Sequence, residues 1–290
     1  MTSRGSGAQP TREGPGALQV ACYGRPMRSS RGACALLLLL AALPAAAEGD
    51  SPVPLQLDLP VTLAVTGTAL AGSLATVIWK DRLAPSGCRI CKPDAFDAKV
   101  QDALVWPHPG PASTASDVLQ IAVPGLSAGA LALSGLGTGG TRVAMGDLLI
   151  TSEAMSVALL ATQVVKYATG RIRPYAYHDP SAIQGRDAFT SFWSGHTVAA
   201  FAGATAAGQV ARMRGYRHWP WILYLGLAGA TACGYFRVAG DRHWTTDVIA
   251  SAAVGSAAGL GLPALLHGPR EEATGGFHVT ILPTGLAGTF

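Results

Sequence analysis

The stretch SGHTVAAFAGATAAGQVARM, residues 194–213, shows the pattern on which the fold depends. It approaches the length of roughly 20 residues that a helix needs to cross a bilayer. Alanine and glycine stand where leucine would be usual, and Gly203 and Ala207 lie one helical turn apart. Small residues at that spacing let two helices approach closely. The stretch therefore predicts a helix against which neighbouring helices pack.

Five further apolar stretches, separated by polar turns, accompany this one along the chain. Each approaches the same length, and the last contains Gly255 and Gly259 in a G-x-x-x-G pattern. No alternation typical of strands and no internal repeat competes with the helical pattern. We therefore predict an all-α fold, a six-helix membrane bundle. The other five predicted helices cover residues 60–79, 117–137, 145–167, 219–235 and 244–267.

The composition of the 290-residue chain favours a protein that faces lipid. Hydrophobic residues make up 49% of the sequence and charged residues 13%, whereas soluble domains carry roughly 25% charged residues. The formal net charge is only +4, and no basic stripe interleaved with aromatic residues is present. We therefore expect a membrane partner and no nucleic-acid partner.

Residues 28–47 have the features of a secretory signal peptide. Arg28 and Arg31 precede a short apolar run with five consecutive leucines, and small residues follow as far as Ala47. The residues before Met27 fit poorly in front of such a signal, which suggests Met27 as the true start. The alternative is an uncleaved membrane anchor. The predicted divisions are a leader at 1–47, a first helix with an external loop at 48–115, a catalytic helical core at 116–267 and a tail at 268–290.

Cys88 and Cys91 form a C-x-x-C pair in the predicted external loop. One such pair is half of a zinc ribbon, and no histidine or second pair is placed to complete it. In an exported protein we expect a local disulfide rather than a metal site or a redox centre. The predicted role of the pair is to staple the loop.

The link between the fourth and fifth predicted helices is basic, with Arg212, Arg214, Arg217 and His218. The positive-inside rule places this link in the cytoplasm and the opposite helix ends outside. Counting back along the helices then puts the start of the first helix in the cytoplasm, whereas a cleaved signal peptide would put it outside. Three resolutions stay open: an uncleaved leader, a stretch that is not a full span, or a soluble or peripheral periplasmic bundle.

A first cluster of polar residues stands at the predicted external end of the third helix. Lys166, Arg171 and Arg173 place three cations within eight residues, and such a cluster at the mouth of an apolar bundle needs a counter-anion. Pro174 is expected to end the third helix. The alternative is a basic anchor that snorkels to the lipid headgroups.

A second cluster, Ser194-Gly195-His196, opens the fourth predicted helix. Ser194 suits an N-cap, and the N–H groups of a first helical turn form an anion site. Gly195 lets the backbone approach an oxyanion without a Cβ in the way. The alternative is an ordinary cap with an interfacial histidine.

A third cluster, Arg237, His243 and Asp247, opens the sixth predicted helix. Because His243 and Asp247 are four residues apart, they share one helical face. An aspartate there can accept a hydrogen bond from one imidazole nitrogen and leave the other free, as in an activated nucleophile or general base. The alternative is a structural His–Asp pair that caps the helix.

In this order the clusters read K-x6-R-P, S-G-H and R-x5-H-x3-D, and they resemble the motifs of the type-2 phosphatidic acid phosphatase superfamily. That superfamily includes the bacterial class A acid phosphatases and the vanadium haloperoxidases. The resemblance covers roughly residues 60–267. Two positions depart from the family pattern: Trp193 stands where the family usually has proline, and Phe236 where it usually has serine.

The resemblance implies a phosphatase that needs neither a metal nor another cofactor. His243 would attack phosphorus and become phosphohistidine, oriented by Asp247, and His196 would protonate the leaving group. Arg171 and His178 lie outside the motifs, and we expect them at the rim of the site and in a surface loop. The residues that would hold the phosphate are Lys166, Arg173, Ser194, Gly195 and Arg237.

The implied substrates are lipid phosphates or diphosphates, of the phosphatidate or undecaprenyl diphosphate type, with no obligate protein partner. The implied location is a bacterial-type inner membrane with the active site facing the periplasm. Two alternatives stay open: a soluble periplasmic acid phosphatase of broad specificity, and an inactive membrane protein that binds lipid phosphates.

Overall fold

The computed structural model describes residues 51–270, 278–282 and 285–289, and it is predominantly helical. The predicted leader, residues 1–47, lies outside the described residues. Two short 3₁₀ turns occupy Pro180–Ala182 and Arg186–Phe189, and an antiparallel hairpin joins β1, His278–Leu282, to β2, Gly285–Thr289. The α-helices are α1 Leu59–Ile78, α2 Lys80–Leu83, α3 Ala95–Leu104, α4 Pro109–Thr169, α5 Pro174–His178, α6 Gly195–Arg214, α7 Trp219–Ala239 and α8 Thr245–Leu266.

Helix α4 folds back on itself at Gly140. This residue has φ 76° and ψ −172°, a backbone conformation that favours glycine, and it separates two helical arms. A Cβ added to Gly135 would lie 3.0 Å from the Cα of Ala144. Nine residues of a straight helix would instead separate these positions by about 13.5 Å. The two arms are therefore antiparallel, and they contain the predicted helices at 117–137 and 145–167.

Helix α6 lies at the centre of the fold, with α4, α7 and α8 packed around it. Its alanines at 200, 202, 204, 206 and 207 have no exposed surface. On α8, a Cβ added to Gly259 would stand 2.1 Å from Thr205 Oγ1 and 2.6 Å from the carbonyl oxygen of Ala202. The G-x-x-x-G pattern, which predicts close helix packing, therefore lies where α8 contacts α6.

Four of the described helices, α1, α4, α7 and α8, are long and apolar enough to cross a membrane. Large apolar side chains on them stay exposed, among them Leu74 on α1 at 60%, Leu225 on α7 at 66% and Leu265 on α8 at 81%. Such surfaces are unfavourable in water and favourable in lipid, so the chain is a membrane protein. Helix α6 is enclosed by its neighbours and need not present an apolar surface to lipid.

The start of α1 lies at the same end of the bundle as the link between α6 and α7. The N–H of Val53 donates to the carbonyl of Arg214 at 3.1 Å, and the N–H of Gln56 to that of Gly268 at 3.0 Å. At this end Arg214 Nε is 2.7 Å from the buried carboxylate of Asp147. Arg214 is thus engaged inside the protein, whereas the other two arginines of the basic link, Arg212 and Arg217, are exposed.

The prediction that Pro174 ends the third helix is wrong. Helix α4 ends at Thr169, and Gly170, with φ 57° and ψ 39°, forms its left-handed C-cap. Pro174 is instead the first residue of α5. Glycine is preferred just after a helix and proline at its first position, so both residues follow the usual asymmetry of helix ends.

Candidate active site

The three predicted clusters meet at the other end of the bundle, around one cavity. Its volume is about 550 Å³. Ser194 and Asp247 are buried beside it but do not line it. The six predicted site residues that line the cavity are Lys166, Arg173, Gly195, His196, Arg237 and His243.

His243 is fully buried in the turn before α8, and its Nε2 lies 3.2 Å from Arg173 Nη1. A guanidinium can only donate, so Nε2 must carry the lone pair and the neutral ring must carry its proton on Nδ1. Burial lowers the pKa of His243 well below its ordinary value of 6.5, and the positive charges of Arg173, Arg237 and Lys166 lower it further. The ring is therefore neutral near pH 7, with an available lone pair beside the cations.

Asp247 does not form the expected hydrogen bond to this ring. Its Oδ2 is 3.7 Å from His243 Nδ1, which has no hydrogen-bond partner among the described residues. The carboxylate instead accepts hydrogen bonds from Arg171, from the Ser191 hydroxyl and, at 3.0 Å, from the backbone N–H of Trp244. Asp247 thus fixes the first turn of α8 and the end of the turn that carries His243.

Arg171, expected at the rim, is buried and pairs with two carboxylates, those of Asp97 and Asp247. Asp97 comes from α3 and also accepts the backbone N–H of Thr246 at 2.8 Å. Sequence reasoning missed Asp97, because its partner at Thr246 lies 149 residues away along the chain. Together these groups anchor the start of α8 to α3.

Hydrogen bonds to backbone and side-chain oxygens hold the three cations of the cavity. Lys166 Nζ donates to the carbonyl of Thr190 at 3.0 Å, and Arg237 Nη1 donates to Ser116 Oγ at 3.0 Å. Arg173 donates to the carbonyl of Arg242 at 3.1 Å. These contacts direct three basic side chains to one cavity, and such side chains suit an anion such as a phosphate.

Asp187 supplies the carboxylate at the wall of this cavity. It lies 3.2 Å from Arg173 Nη2 and 3.6 Å from Lys80 Nζ. Burial raises the pKa of Asp187, but the nearby charges of Arg173, Lys80 and Lys166 outweigh it and hold the pKa at about 2. Asp187 is therefore ionised and partly neutralises the cations beside it.

Ser194 is the N-cap of α6, as predicted. Its Oγ accepts from the backbone N–H of Thr197 at 3.4 Å and from the Thr197 hydroxyl at 3.0 Å. The neighbouring Gly195 lines the cavity, and a Cβ added there would lie 3.8 Å from Lys166 Cε. The missing side chain at Gly195 therefore leaves room on the side of the cavity where Lys166 stands.

His196, in the first turn of α6, forms a hydrogen bond that the motifs do not predict. Its Nε2 lies 2.8 Å from Asp117 Oδ1, and Arg237 Nη1 lies 3.3 Å from the same oxygen. Asp117 belongs to the first arm of α4, and 55% of its side chain is exposed. One carboxylate thus links two of the predicted site residues.

The loop before α3 docks on the segment that carries Arg171 and Arg173. Cys88 and Cys91 are joined in a disulfide with their Cα atoms 5.2 Å apart. Between them, Ile90 accepts the N–H of Ile172 at 3.0 Å and pairs with Arg171 in a short parallel bridge. The stapled loop therefore supports the backbone of the two arginines.

Apolar side chains form the rest of the cavity wall. The face of α1 that lines it carries Leu70, Leu74 and Val77, at helical spacing, and Leu159 of α4 joins them. These α1 residues keep 48%, 60% and 55% of their surface exposed. The cavity is thus bounded by cations and imidazoles together with an apolar helix face that is open to the surroundings.

The two departures from the family pattern do not reach the cavity. Trp193 packs against the cluster of Ala158, Val198 and Ala202. Phe236 makes an edge-to-face contact with Trp106, with 5.8 Å between the ring centroids. His178 packs near Trp244 and also lies outside the cavity lining.

Among residues 51–270, no three side chains of the metal-ligating types His, Cys, Asp and Glu converge in a group that could hold a metal ion. The groups that do converge on the cavity are cations and imidazoles, together with the carboxylate of Asp187, and this balance of charge suits an anion.

The sequence is similar to those of two phosphatases. It is 35% identical over 127 residues to a lipid A 1-phosphatase of Porphyromonas gingivalis, covering 43% of this chain and 25% of that protein. It is 31% identical over 101 residues to an undecaprenyl-diphosphatase of Sulfolobus acidocaldarius, covering 34% of this chain and 46% of that protein. The chain thus spans less than half the length of the curated relatives it matches.

Among solved structures, the chain is similar to a transmembrane PAP2 type phosphatidylglycerolphosphate phosphatase from Bacillus subtilis. The TM-score is 0.46 and the identity 15%, over 70% of this chain and 94% of that one. The sequence pattern of the PAP2 superfamily matches residues 147–269. This segment contains all eight predicted site residues. Seven of them lie on α4, α6 and α8 or in the turns beside these helices, and Arg237 lies on α7. The resemblance to the type-2 phosphatidic acid phosphatase superfamily is thereby confirmed, and residues 147–269 carry its pattern.

Proposed function

We propose that the protein is a membrane-embedded phosphatase that hydrolyses lipid phosphates or diphosphates through a phosphohistidine intermediate, without a metal ion. The observation that carries the proposal is the composition of the cavity wall. Lys166, Arg173 and Arg237 bound the same space as the apolar face of α1. A lipid phosphate combines an anionic headgroup with an apolar tail and matches both surfaces.

The proposed first step is attack of His243 Nε2 on phosphorus. Nε2 carries the lone pair, lies beside Arg173 and is neutral near pH 7 because burial lowers the pKa of the ring. The new P–N bond forms as the P–O bond to the leaving group breaks. The departing oxygen keeps the bonding electron pair and takes a proton from His196. The three cations stabilise the charge on the phosphoryl oxygens during the transfer.

The proposed second step is hydrolysis of phosphohistidine. A water molecule gives a proton to His196 and attacks phosphorus, the P–N bond breaks, and His243 recovers its lone pair as phosphate leaves. Ser194 and Asp247 would act from behind the cavity lining, the first by capping α6 and the second by fixing the turn that carries His243. Gly195 would offer the phosphate room and a backbone N–H.

The proposal includes six membrane-crossing helical segments: α1, the two arms of α4, α6, α7 and α8. It places the cavity on the periplasmic side of a bacterial-type inner membrane, because the exposed Arg212 and Arg217 stand at the opposite end. It also includes a leader at residues 1–47 that precedes this unit. Labelling of single cysteines introduced near each end, in intact cells, would test the orientation.

The experiment that tests the proposed activity is phosphate release by detergent-purified protein in excess EDTA. Phosphatidate, undecaprenyl diphosphate and a soluble aryl phosphate are compared, with His243→Ala as the inactive variant. His108→Ala is the matched control, because His108 is an exposed histidine at the N-cap of α4 without a side-chain capping bond. We expect release from a lipid substrate by the wild type and by His108→Ala, and background release by His243→Ala.

Each alternative outcome has a defined meaning. Release from the aryl phosphate alone would favour the broad-specificity acid phosphatase. Lipid phosphate binding without release would favour the inactive binding protein. Substantial turnover by folded His243→Ala would contradict the phosphohistidine step. Rapid quenching after mixing with a labelled substrate should also trap label that is stable in alkali and lost in acid, as expected for a phosphoramidate.

A further inference from the structure

Asp117 lies outside the segment that matches the PAP2 superfamily, yet it contacts two residues inside that segment. Its Oδ1 is 2.8 Å from His196 Nε2 and 3.3 Å from Arg237 Nη1. His196 and Arg237 line the cavity, whereas Asp117 does not. The contacts through which Asp117 can act on the cavity are therefore those with His196 and Arg237.

The contact with Asp117 assigns the two nitrogens of His196. A carboxylate accepts, so Nε2 must carry a proton when the pair is formed. No other side-chain hydrogen bond of His196 is present in the part of the chain that the structure describes. Nδ1 is then the nitrogen left to exchange a proton within the cavity.

The contact with Arg237 has a second consequence. Arg237 Nη1 is shared between Ser116 Oγ at 3.0 Å and the Asp117 carboxylate. A negative charge beside a phosphate-binding cation opposes the arrival of a phosphate. A negative charge at Asp117 would thus weaken anion binding while the carboxylate orients the proton donor. Removing the charge should therefore strengthen phosphate binding and lower the rate of proton transfer.

We propose that Asp117 is a positioning residue that holds His196 with Nδ1 directed at the leaving-group oxygen. The inference rests on the proposed function, because it gives His196 the task of protonating that oxygen. Nε2–H stays on the carboxylate throughout. His196 must therefore enter the first step as the imidazolium, with a proton on each nitrogen. The Nδ1 proton passes to the leaving oxygen as the P–O bond breaks, and the attacking water restores it in the second step.

The dependence on the leaving group tests this role. An alkoxide needs a proton to depart, whereas an aryl oxide such as p-nitrophenolate departs without one. We expect Asp117→Asn to lower kcat for dioctanoyl phosphatidate by at least about tenfold, part of the roughly 10²–10⁴-fold that acid–base catalysis contributes. For p-nitrophenyl phosphate we expect a loss below about threefold. Inhibition by inorganic phosphate should become stronger, since a neighbouring negative charge is gone.

Three further variants complete the experiment. Asp102→Asn removes a charge from an exposed aspartate on α3 and should change neither rate. Asp117→Glu keeps the charge and should recover part of the lipid rate. In a His196→Ala background, Asp117→Asn should have no further effect on the lipid rate, because the two changes remove one shared contribution.

The outcomes separate the positioning role from the proposed function. Equal losses on both substrates, an unchanged lipid rate, or additive losses in the double variant would overturn the role of Asp117 and leave the phosphatase intact. If the wild type releases phosphate from neither substrate, the proposed function fails and the role of Asp117 fails with it.

Discussion

At the scale of single residues, the proposed mechanism depends on the protonation state of His243. A buried imidazole among three cations resists taking a proton, and this is why its pKa is well below 6.5. Because the proposed nucleophile must be neutral, a depressed pKa would extend activity towards lower pH. The cations proposed to bind the phosphate would thus also keep the histidine neutral.

The first prediction concerns this pH dependence. We expect the acid limb of kcat/KM, after correction for the ionisation of the substrate phosphate, to lie below pH 6.5, since kcat/KM reports the free enzyme. Arg173→Gln removes one cation beside Nε2 and should move the limb to higher pH. A limb at or above pH 6.5 in the wild type would contradict the assignment of His243 as the attacking group.

The second prediction concerns Gly195. A methyl group there would stand 3.8 Å from Lys166 Cε, an ordinary contact, so that Gly195→Ala should fold normally but narrow the cavity. We expect KM to rise by roughly tenfold, equivalent to about 1.4 kcal/mol of binding, with a smaller change in kcat. Gly67→Ala on α1 adds the same methyl group where nothing lies within 4 Å and should leave KM unchanged. An unchanged KM for Gly195→Ala would remove this residue from the phosphate site.

The motifs predict which residues surround the cavity, because they place charged side chains at the ends of apolar helices, where these side chains can meet. They do not predict the carboxylates that organise these residues. Asp117 reaches His196 from 79 residues away, and Asp97 reaches Thr246 from 149 residues away. No periodicity relates such positions, since tertiary packing alone brings them together.

At the scale of helices, packing depends on how closely α8 approaches α6. The carbonyl of Ala202 and the hydroxyl of Thr205 occupy the space that a side chain on Gly259 would need. The position of α8 matters for the site, because the turn before it carries His243.

The third prediction tests this contact. Gly259→Ala would place a Cβ 2.1 Å from Thr205 Oγ1, and overpacking of this kind costs about 1–3 kcal/mol. Thermal unfolding in detergent should show a clear loss of stability. Gly261→Ala lies on the same helix with nothing within 4 Å and should be neutral or slightly stabilising. Equal stabilities of the two variants would show that α8 is packed less closely than described.

The long helices follow from the apolar stretches, and their ends agree with the predicted ones to within a few residues, the start of α4 excepted. The sequence does not predict the short helices α2, α3 and α5, because segments of 4, 10 and 5 residues are too short to show a helical periodicity. The prediction that α4 ends at Pro174 rests on the helix-breaking property of proline. The helix ends instead at Gly170, whose left-handed conformation is a property of the folded chain.

At the scale of the whole molecule, the two ends of the bundle carry different kinds of polar network. The cavity end gathers cations that face an open space. At the far end Asp147 is fully buried, paired with Arg214 Nε at 2.7 Å and accepting from the Tyr216 hydroxyl at 2.6 Å. The far network joins α4 to the end of α6.

The fourth prediction separates these two ends. Asp147→Asn leaves Arg214 buried without its partner, which costs about 3–5 kcal/mol. We expect a large loss of thermal stability but little change in the kcat of the folded protein. Asp147→Asn combined with Arg214→Met removes both charges and should be less destabilised than the single variant. A loss of kcat in folded Asp147→Asn would show that the far end is coupled to the cavity.

The fifth prediction concerns the membrane. The apolar side chains exposed on α1, α4, α7 and α8 require lipid or detergent around them. We expect the protein to stay in the membrane fraction after washing with concentrated salt and then with alkali. Release by either wash would support the soluble or peripheral periplasmic bundle.

The open wall of the cavity has a consequence for how such a protein can change over generations. Most of the proposed tail-facing surface comes from Leu70, Leu74 and Val77 on α1, whereas the proposed phosphate ligands lie within residues 166–237. No proposed phosphate ligand lies on α1. A lineage can therefore exchange the lipid that it accepts by substitutions on α1, one side chain at a time, while its reaction chemistry is inherited without change.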